Sequence, residues 1–93
     1  MTEADKTAGG GTPVGITNFV YEPKELTVPP GTKVTWVNND SARHNLQDLS
    51  ELKIPISRDL NKNEAFSITY EKPGTHPYNC SLHPFMTGTV KVA

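Results

Sequence analysis

Residues 76–86 read HPYNCSLHPFM, a segment that alternates like a β-strand and then breaks into a loop. His76, Tyr78 and Cys80 fall on one face of an extended chain, because successive side chains of a strand point to opposite faces. If Tyr78 packs in a core, Cys80 also points inward, at the end of the strand. Two alternating valines follow near the C-terminus. The stretch therefore predicts strand, loop and strand within an all-β domain.

The same period of two recurs along the chain. The alternating apolar positions are Leu26 and Val28; Val34 and Trp36; Phe66, Ile68 and Tyr70; and Val90 and Val92. We expect these residues to face a core and the residues between them, such as Thr35, to face water. Turn signals rich in Pro, Gly and Asn separate the segments. About seven or eight short strands at this spacing predict a β-sandwich or barrel.

The segment from Leu46 to Leu60 is the least regular part of the chain. It is compatible with one helical turn or with an irregular edge strand. No signature assigns a role to residues 49–59.

Length and composition exclude several classes of protein. The 93 residues suffice for one small domain, and an apolar content of 34% implies a thin core, as in a two-layer all-β protein. A net charge of -1 disfavours a nucleic-acid binder, which normally has a strongly basic face. No stretch approaches the roughly 20 apolar residues of a membrane-spanning helix. One cysteine cannot form an internal disulfide.

The N-terminal segment differs in composition from the rest. Residues 1–12 are small and polar, and they lack the apolar run of a signal peptide. We predict a flexible polar linker or tail there and a single domain over residues 13–93. Either the chain is cytosolic, or a signal or anchor preceding this segment has been removed. The linker-like composition favours the second explanation.

Four residues carry the candidate metal chemistry. Cys80, His83 and Met86 recur at intervals of three, and His44 lies far upstream between two predicted strands. A thiolate, two imidazoles and a weak axial thioether form the ligand set of a blue-copper electron-transfer site. We therefore predict one mononuclear copper ion cycling between Cu(I) and Cu(II), with no catalytic residues.

Neighbouring residues suggest how the site is supported and how electrons leave it. Asn45 follows the first histidine and could hydrogen-bond across to the cysteine loop, with help from the Ser81 hydroxyl. His83 is flanked by apolar surface from Pro84 and Phe85. A histidine edge in an apolar patch predicts a docking face for a partner and an electron exit.

A zinc site, a redox enzyme or sensor, and a copper storage or delivery protein are alternative interpretations of these residues. Structural zinc prefers four Cys or His ligands, and His76 lies about 13 Å along the strand from Cys80, too far to be the fourth. A small-molecule redox enzyme or sensor, for example in nitric oxide chemistry, would need an open coordination position, which Met86 and a shielding Phe85 argue against. Copper storage or delivery stays open as a third alternative.

The assembled motifs resemble those of the cupredoxins, type 1 blue copper proteins, of the plastocyanin/amicyanin group. The resemblance covers about residues 14–93 and rests on these elements: Ile16-Thr17-Asn18-Phe19, Pro29-Pro30-Gly31-Thr32, residues 34–40, His44-Asn45, Pro73-Gly74-Thr75, and the loop from Cys80 to Met86 with Gly88 after it. The short loop, with Pro84-Phe85-Met86, is especially similar to that of amicyanin.

This resemblance implies an eight-stranded Greek-key β-sandwich that carries single electrons between larger redox proteins. It also implies work outside the cytoplasm, in a periplasm, a lumen or at an outer membrane face. We expect a monomer with no nucleic-acid partner, and a membrane anchor outside these residues is compatible with the sequence. Three residues depart from the family pattern: Arg43 replaces a proline, His76 an aromatic residue, and Asn79 the outward tyrosine that plastocyanin uses as a remote electron port.

Overall fold

The computed structural model describes residues 12–49, 57 and 59–93. Within them the chain forms eight strands and no helix. The strands are β1 Thr12–Thr17, β2 Val20–Glu22, β3 Glu25–Val28, β4 Thr32–Asn38, β5 Gln47–Asp48, β6 Ala65–Tyr70, β7 Gly74–Asn79 and β8 Thr87–Val92. The predicted all-β fold with eight strands is confirmed. No helix in the described part of the chain is long and apolar enough to cross a membrane.

The strands form two four-stranded sheets. One has the order β2-β1-β4-β6 and the other the order β3-β8-β7-β5. β1 pairs with β4 in parallel, and so does β3 with β8, while the remaining pairs are antiparallel. Parallel neighbours cannot be joined by a hairpin, so the chain crosses between the sheets before it returns. This connectivity accords with the Greek-key sandwich that the resemblance implied.

The core lies between the two sheets and follows the predicted alternation. Trp36 and Val90 are fully buried, as are Tyr78 on β7 and Cys80, which directly follows that strand. The prediction is wrong at two positions: Thr35 and Ser67, both expected to face water, are also fully buried. The Thr35 and Ser67 hydroxyls share a 2.8 Å hydrogen bond across β4 and β6, because β4 is a central strand whose outer side is closed by a cross-strand pair.

Gly88 makes room for the aromatic ring that lies next to Cys80. It pairs with Tyr78 across β7 and β8, and a Cβ at position 88 would overlap the Tyr78 hydroxyl. The Tyr78 ring packs edge-on against Tyr21 and Trp36, at centroid distances of 4.7 and 5.5 Å. Burial raises the pKa of Tyr78 to about 12. The Tyr78 ring is therefore a closely packed part of the core, two residues before Cys80 on the same inward face.

The irregular middle segment contributes a short edge strand. β5 has only two residues and pairs with the end of β7, at the edge of the second sheet. Residues 50–56 and residue 58 lie outside the described part, as do residues 1–11, where the linker was predicted. Thr12 opens β1. The boundary between tail and domain stays a prediction.

Candidate metal centre

Two separate segments supply the candidate ligands. His44 lies between β4 and β5 and forms a backbone bridge with Leu60, in which His44 N donates to Leu60 O at 3.2 Å and Leu60 N donates back at 2.7 Å. Cys80 follows the last residue of β7. Because Cys80 continues the inward phase of Tyr78, its thiol enters the core at the end of the sandwich where His44 lies.

Three donor atoms converge at this end. The ligand atoms of His44, Cys80 and His83 all lie within 4.8 Å of one another. Cys80 Sγ is 3.9 Å from His44 Nδ1 and 3.7 Å from His83 Nδ1. His44 and Cys80 are fully buried, whereas His83 is partly exposed. The cluster thus has a closed interior and one imidazole that reaches the surface.

The loop that holds His83 is closed by its own backbone. Cys80 N donates to Met86 O at 3.1 Å, His83 N donates to Cys80 O at 3.2 Å, and Met86 N donates to His83 O at 2.9 Å. Met86 is 2% exposed, so its thioether lies inside the protein in the same loop. The spacing of three residues between the predicted ligands corresponds to these tight turns.

Asn45 joins the two ligand segments. Its side-chain Nδ2 donates to Ser81 Oγ at 2.8 Å, and Ser81 N donates to Asn45 Oδ1 at 2.8 Å. The backbone N–H of Asn45 points at Cys80 Sγ, at 3.4 Å. Asn45 and Ser81 therefore form the contact expected from the sequence, and the Asn45 amide donates to the sulfur.

Sequence reasoning missed Asp40, which holds His44 from behind. Asp40 Oδ2 lies 2.9 Å from His44 Nε2. A carboxylate only accepts hydrogen bonds, so Nε2 carries the proton and Nδ1 keeps a free lone pair towards Cys80. Burial alone would raise the pKa of Asp40, but hydrogen bonds from Phe19 N, His44 and Asn18 N outweigh it and lower that pKa below its ordinary value. The sequence marked Asp40 as part of a turn and of the family-like segment 34–40, without a role at the site.

Phe19 is the second residue that sequence reasoning missed. Thr17 pairs with Val20, so Asn18 and Phe19 form a two-residue hairpin loop between β1 and β2. Both have positive φ, 52° and 61°, as in a type I′ turn, whose second position favours glycine. A bulky residue there costs roughly 1–2 kcal/mol. Nothing in the sequence pattern signalled a phenylalanine in this conformation.

The Phe19 ring covers both imidazoles. It meets His44 edge-on at a centroid distance of 5.1 Å and His83 at 4.7 Å, and it stacks with Phe85 at 6.2 Å. Phe85 is 72% exposed, whereas Phe19 is 37% exposed. The expected shielding by Phe85 therefore belongs mainly to Phe19, and Phe85 forms the outer surface.

The three departures from the family pattern lie outside the cluster. Arg43 is exposed and lies 3.9 Å from the Asp59 carboxylate, a surface ion pair of small energetic weight. His76 Nε2 donates to Lys72 O at 3.0 Å, which confirms a histidine satisfied by a hydrogen bond rather than a metal ligand. Asn79 Nδ2 donates to Pro84 O at 3.4 Å.

Comparisons with known proteins place the chain in a family of copper-binding proteins. The protein family described as "Copper binding proteins, plastocyanin/azurin family" matches this chain over residues 10–93. The chain belongs to this family of copper-binding proteins. It is 37% identical over 95 residues to amicyanin of Paracoccus denitrificans, an alignment that covers 96% of this chain and 70% of the relative.

Solved structures of cupredoxins share the fold of this chain. The structure of amicyanin from Paracoccus versutus superposes with a TM-score of 0.84 at 31% identity, and covers 91% of this chain and 83% of that one. A purple cupredoxin from Nitrosopumilus maritimus superposes with a TM-score of 0.79 at 34% identity, over 88% of this chain and 99% of that one.

The cofactor is therefore one copper ion, and the donor chemistry fits it, since a thiolate with imidazoles suits copper in both oxidation states. The predicted function is confirmed: the protein is an electron carrier with a type 1 copper centre, not an enzyme, and it exchanges electrons with redox partners.

Proposed function

We propose that His44, Cys80, His83 and Met86 hold the copper ion and that electrons enter and leave through the exposed edge of His83. The observation that carries this proposal is the convergence of three donor atoms within 4.8 Å, of which only the His83 imidazole belongs to a partly exposed residue. When bound, the ion accepts or releases one electron.

Each residue has a distinct task. Cys80 provides the thiolate, and the Asn45 amide, 3.4 Å away, tunes its donor strength. His44 and His83 would offer Nδ1 as neutral imidazoles, and Met86 would offer a weak thioether ligand. The Leu60 bridge and the Asp40 carboxylate hold His44, while the Asn45–Ser81 contact holds the loop. Fixed donors keep the site similar in both oxidation states, which favours rapid electron transfer.

The docking face surrounds His83. Pro84, Leu82 and Phe85 are exposed residues of the same loop, and the partly exposed Phe19 ring contacts His83. Such a patch lets a partner exclude water over the electron path. Exit beside Cys80 is disfavoured, because Asn79 there is partly buried and lacks an aromatic ring. We infer that its electron donors and acceptors are larger redox proteins. We also infer that the protein binds them as a monomer.

We also place the protein outside the cytoplasm, in a periplasm or an equivalent compartment. The support is the resemblance to a family that works mostly there, and the presence of a relative named "Plastocyanin, chloroplastic" from Physcomitrium patens, 35% identical over 85 residues. A linker over residues 1–12 would suit attachment to an anchor or to another domain.

Titration of the copper-free protein with Cu(II) tests the proposal. An intense thiolate charge-transfer band near the red end of the visible spectrum should rise and saturate at one ion per chain. Absence of the band, with Cys80 shown to be reduced and accessible, would contradict the ligand assignment. Steady turnover of a small molecule without a protein partner would instead support the enzyme alternative.

A further inference from the structure

Phe19 occupies a position where the fold prefers another residue. The type I′ hairpin between β1 and β2 is best served by glycine at its second loop position, yet the chain carries phenylalanine there with φ 61°. A bulky residue persists in the left-handed region only where the surrounding structure holds it there, and such positions cluster at functional sites. Its nearest aromatic neighbours are the two imidazoles of the metal centre.

Asp40 fixes this turn and one imidazole with a single carboxylate. Oδ2 accepts the Phe19 N–H at 3.0 Å and the His44 Nε2–H at 2.9 Å, and Oδ1 accepts the Asn18 N–H at 3.2 Å. Asp40 N in turn donates to Asn38 Oδ1 at 2.8 Å. The position of the Phe19 ring is thus coupled to that of His44.

Asn38 anchors this arrangement in the core. It is fully buried, and its Nδ2 donates to Ala42 O at 2.9 Å and to Leu60 O at 2.8 Å. Leu60 is the residue that forms the backbone bridge with His44. The contacts of Asp40 with the Asn18–Phe19 turn and His44, here called the clamp, are therefore supported by Asn38, which is buried and fully hydrogen-bonded.

The location of the ring indicates its task. The other three proposed ligands are buried, so approach to the centre from solvent is over the partly exposed His83. Phe19 lies edge-on against His83 at 4.7 Å and against His44 at 5.1 Å, whereas the Phe85 ring is 6.3 Å from His83 and mostly exposed. Phe19 is thus the ring that contacts both imidazoles, whose own centroids lie 5.0 Å apart.

We propose that Phe19, clamped by Asp40, is a positioning residue that keeps the two ligand imidazoles together and bars small molecules from the metal. This inference rests on the proposed ligand set. It gives a physical reason why the site acts as an electron carrier: a small anion cannot reach the ion without displacing a ring that the hairpin holds in place. Phe85 then serves the docking face alone.

The test compares Phe19→Gly with Val20→Ala, a change at an exposed apolar neighbour in the same hairpin. Glycine suits the turn, so Phe19→Gly should stay folded, and Phe19→Asn offers a second residue that tolerates positive φ. Copper-loaded proteins are titrated with sodium azide and followed by visible and electron paramagnetic resonance spectra. Azide should bind Phe19→Gly at least about tenfold more tightly than Val20→Ala, equivalent to about 1.4 kcal/mol.

A second variant addresses the clamp. Asp40→Ala removes both acceptors of the Asn18–Phe19 turn, so it should also increase azide affinity relative to Val20→Ala. Equal azide responses in Phe19→Gly, Phe19→Asn and Val20→Ala would overturn the shield. An Asp40→Ala response equal to that of Val20→Ala would overturn the clamp. If the wild-type protein gave no thiolate band at all, the ligand assignment itself would be wrong, and the two failures are thereby distinguished.

A copper-free measurement provides an independent readout. In the apoprotein, the His44 Nε2 proton is held by Asp40 and covered by the Phe19 ring. Nitrogen-15 NMR should show Nε2 protonated in the wild-type protein and in Phe19→Gly alike, with faster exchange of this proton with solvent in Phe19→Gly. Unchanged exchange in that variant would contradict the cover.

Discussion

His44 and His76 show how two histidines of one small sandwich acquire different roles. The His44 ring is fully buried, with Nε2 held by Asp40 and Nδ1 3.9 Å from Cys80 Sγ. His76 is partly exposed, donates from Nε2 to Lys72 O, and lies beside the Tyr70 ring at 5.1 Å. Both imidazoles have one nitrogen committed to an oxygen acceptor. Only the first has its other nitrogen facing a thiol and a second imidazole.

The difference lies in the convergence of donors rather than in the residue type. A histidine with a satisfied nitrogen is ordinary in a β-protein, whereas one thiol and two imidazoles within 4.8 Å of one another could hold a metal ion and suit copper. Substitutions can test this contrast between the copper end, formed by His44, Cys80 and His83, and the His76 end, formed by His76 and Tyr70.

Removal of the thiolate should have the largest effect. Cys80→Ala should abolish the visible charge-transfer band completely, because no other residue can supply the sulfur-to-copper transition. His76→Ala should leave the band and the bound copper unchanged. Visible spectra of both variants after addition of Cu(II) provide the measurement. A band retained in Cys80→Ala, or lost in His76→Ala, would break the comparison.

The interior next to Cys80 should be intolerant of added volume. Gly88→Ala places a methyl group where the buried Tyr78 hydroxyl lies, and should cost about 1–3 kcal/mol of the free energy of unfolding. Gly15→Ala is the matched control, since its Cβ would meet its nearest neighbour, Asn39 Nδ2, only at 3.4 Å. Urea unfolding of the copper-free variants measures both. Equal stability would show that Tyr78 can move.

Substitution of Met86 should change the reduction potential without loss of the bound copper. Met86→Gln replaces a soft thioether with a harder oxygen donor, which favours Cu(II), so the reduction potential should fall by at least about 59 mV, a tenfold change for one electron. Leu82→Gln, at an exposed neighbour in the same loop, should leave the potential near the wild-type value. Cyclic voltammetry gives both potentials. A potential unchanged by Met86→Gln would remove Met86 from the ligand set.

The smallest effect is expected at the His76 end. Burial raises the pKa of Tyr70 above its ordinary value of 10, and the charges of Tyr78 and Asp48 raise it further. The folded state therefore holds this proton more tightly than the unfolded chain. The contribution of this group to the free energy of unfolding is fully present below about pH 10. It is lost as pH rises further, by at most about 1.4 kcal/mol per pH unit for each such group.

Tyr70→Phe should reduce that alkaline loss without changing the copper spectrum. Urea unfolding of the copper-free protein between pH 9 and pH 11 provides the measurement, with wild-type protein as the reference. Tyr21 and Tyr78, whose pKa values burial also raises, remain as titrating groups in the variant. Identical slopes for the two proteins would mean that the Tyr70 hydroxyl titrates equally in folded and unfolded chains.

Sequence reasoning succeeded where the information is local. The period of two located the core strands, and the strand phase through Tyr78 placed Cys80 inward. It failed at Thr35, because the pattern of one strand cannot show that a neighbour such as Ser67 closes the other face. It also assigned the shield to Phe85, two residues from His83 in sequence, whereas the ring that contacts both imidazoles is that of Phe19.

The sequence by itself determined the all-β fold, the identity of the soft donors and the short loop from Cys80 to Met86, because each depends on residues within a few positions of one another. Only the tertiary structure decided which nitrogen of His44 faces the sulfur and which ring covers the site. Those features depend on contacts between Asp40 and a turn 21 residues earlier, and between Asn45 and a sulfur 35 residues later. Such distant positions meet only when the two sheets pack.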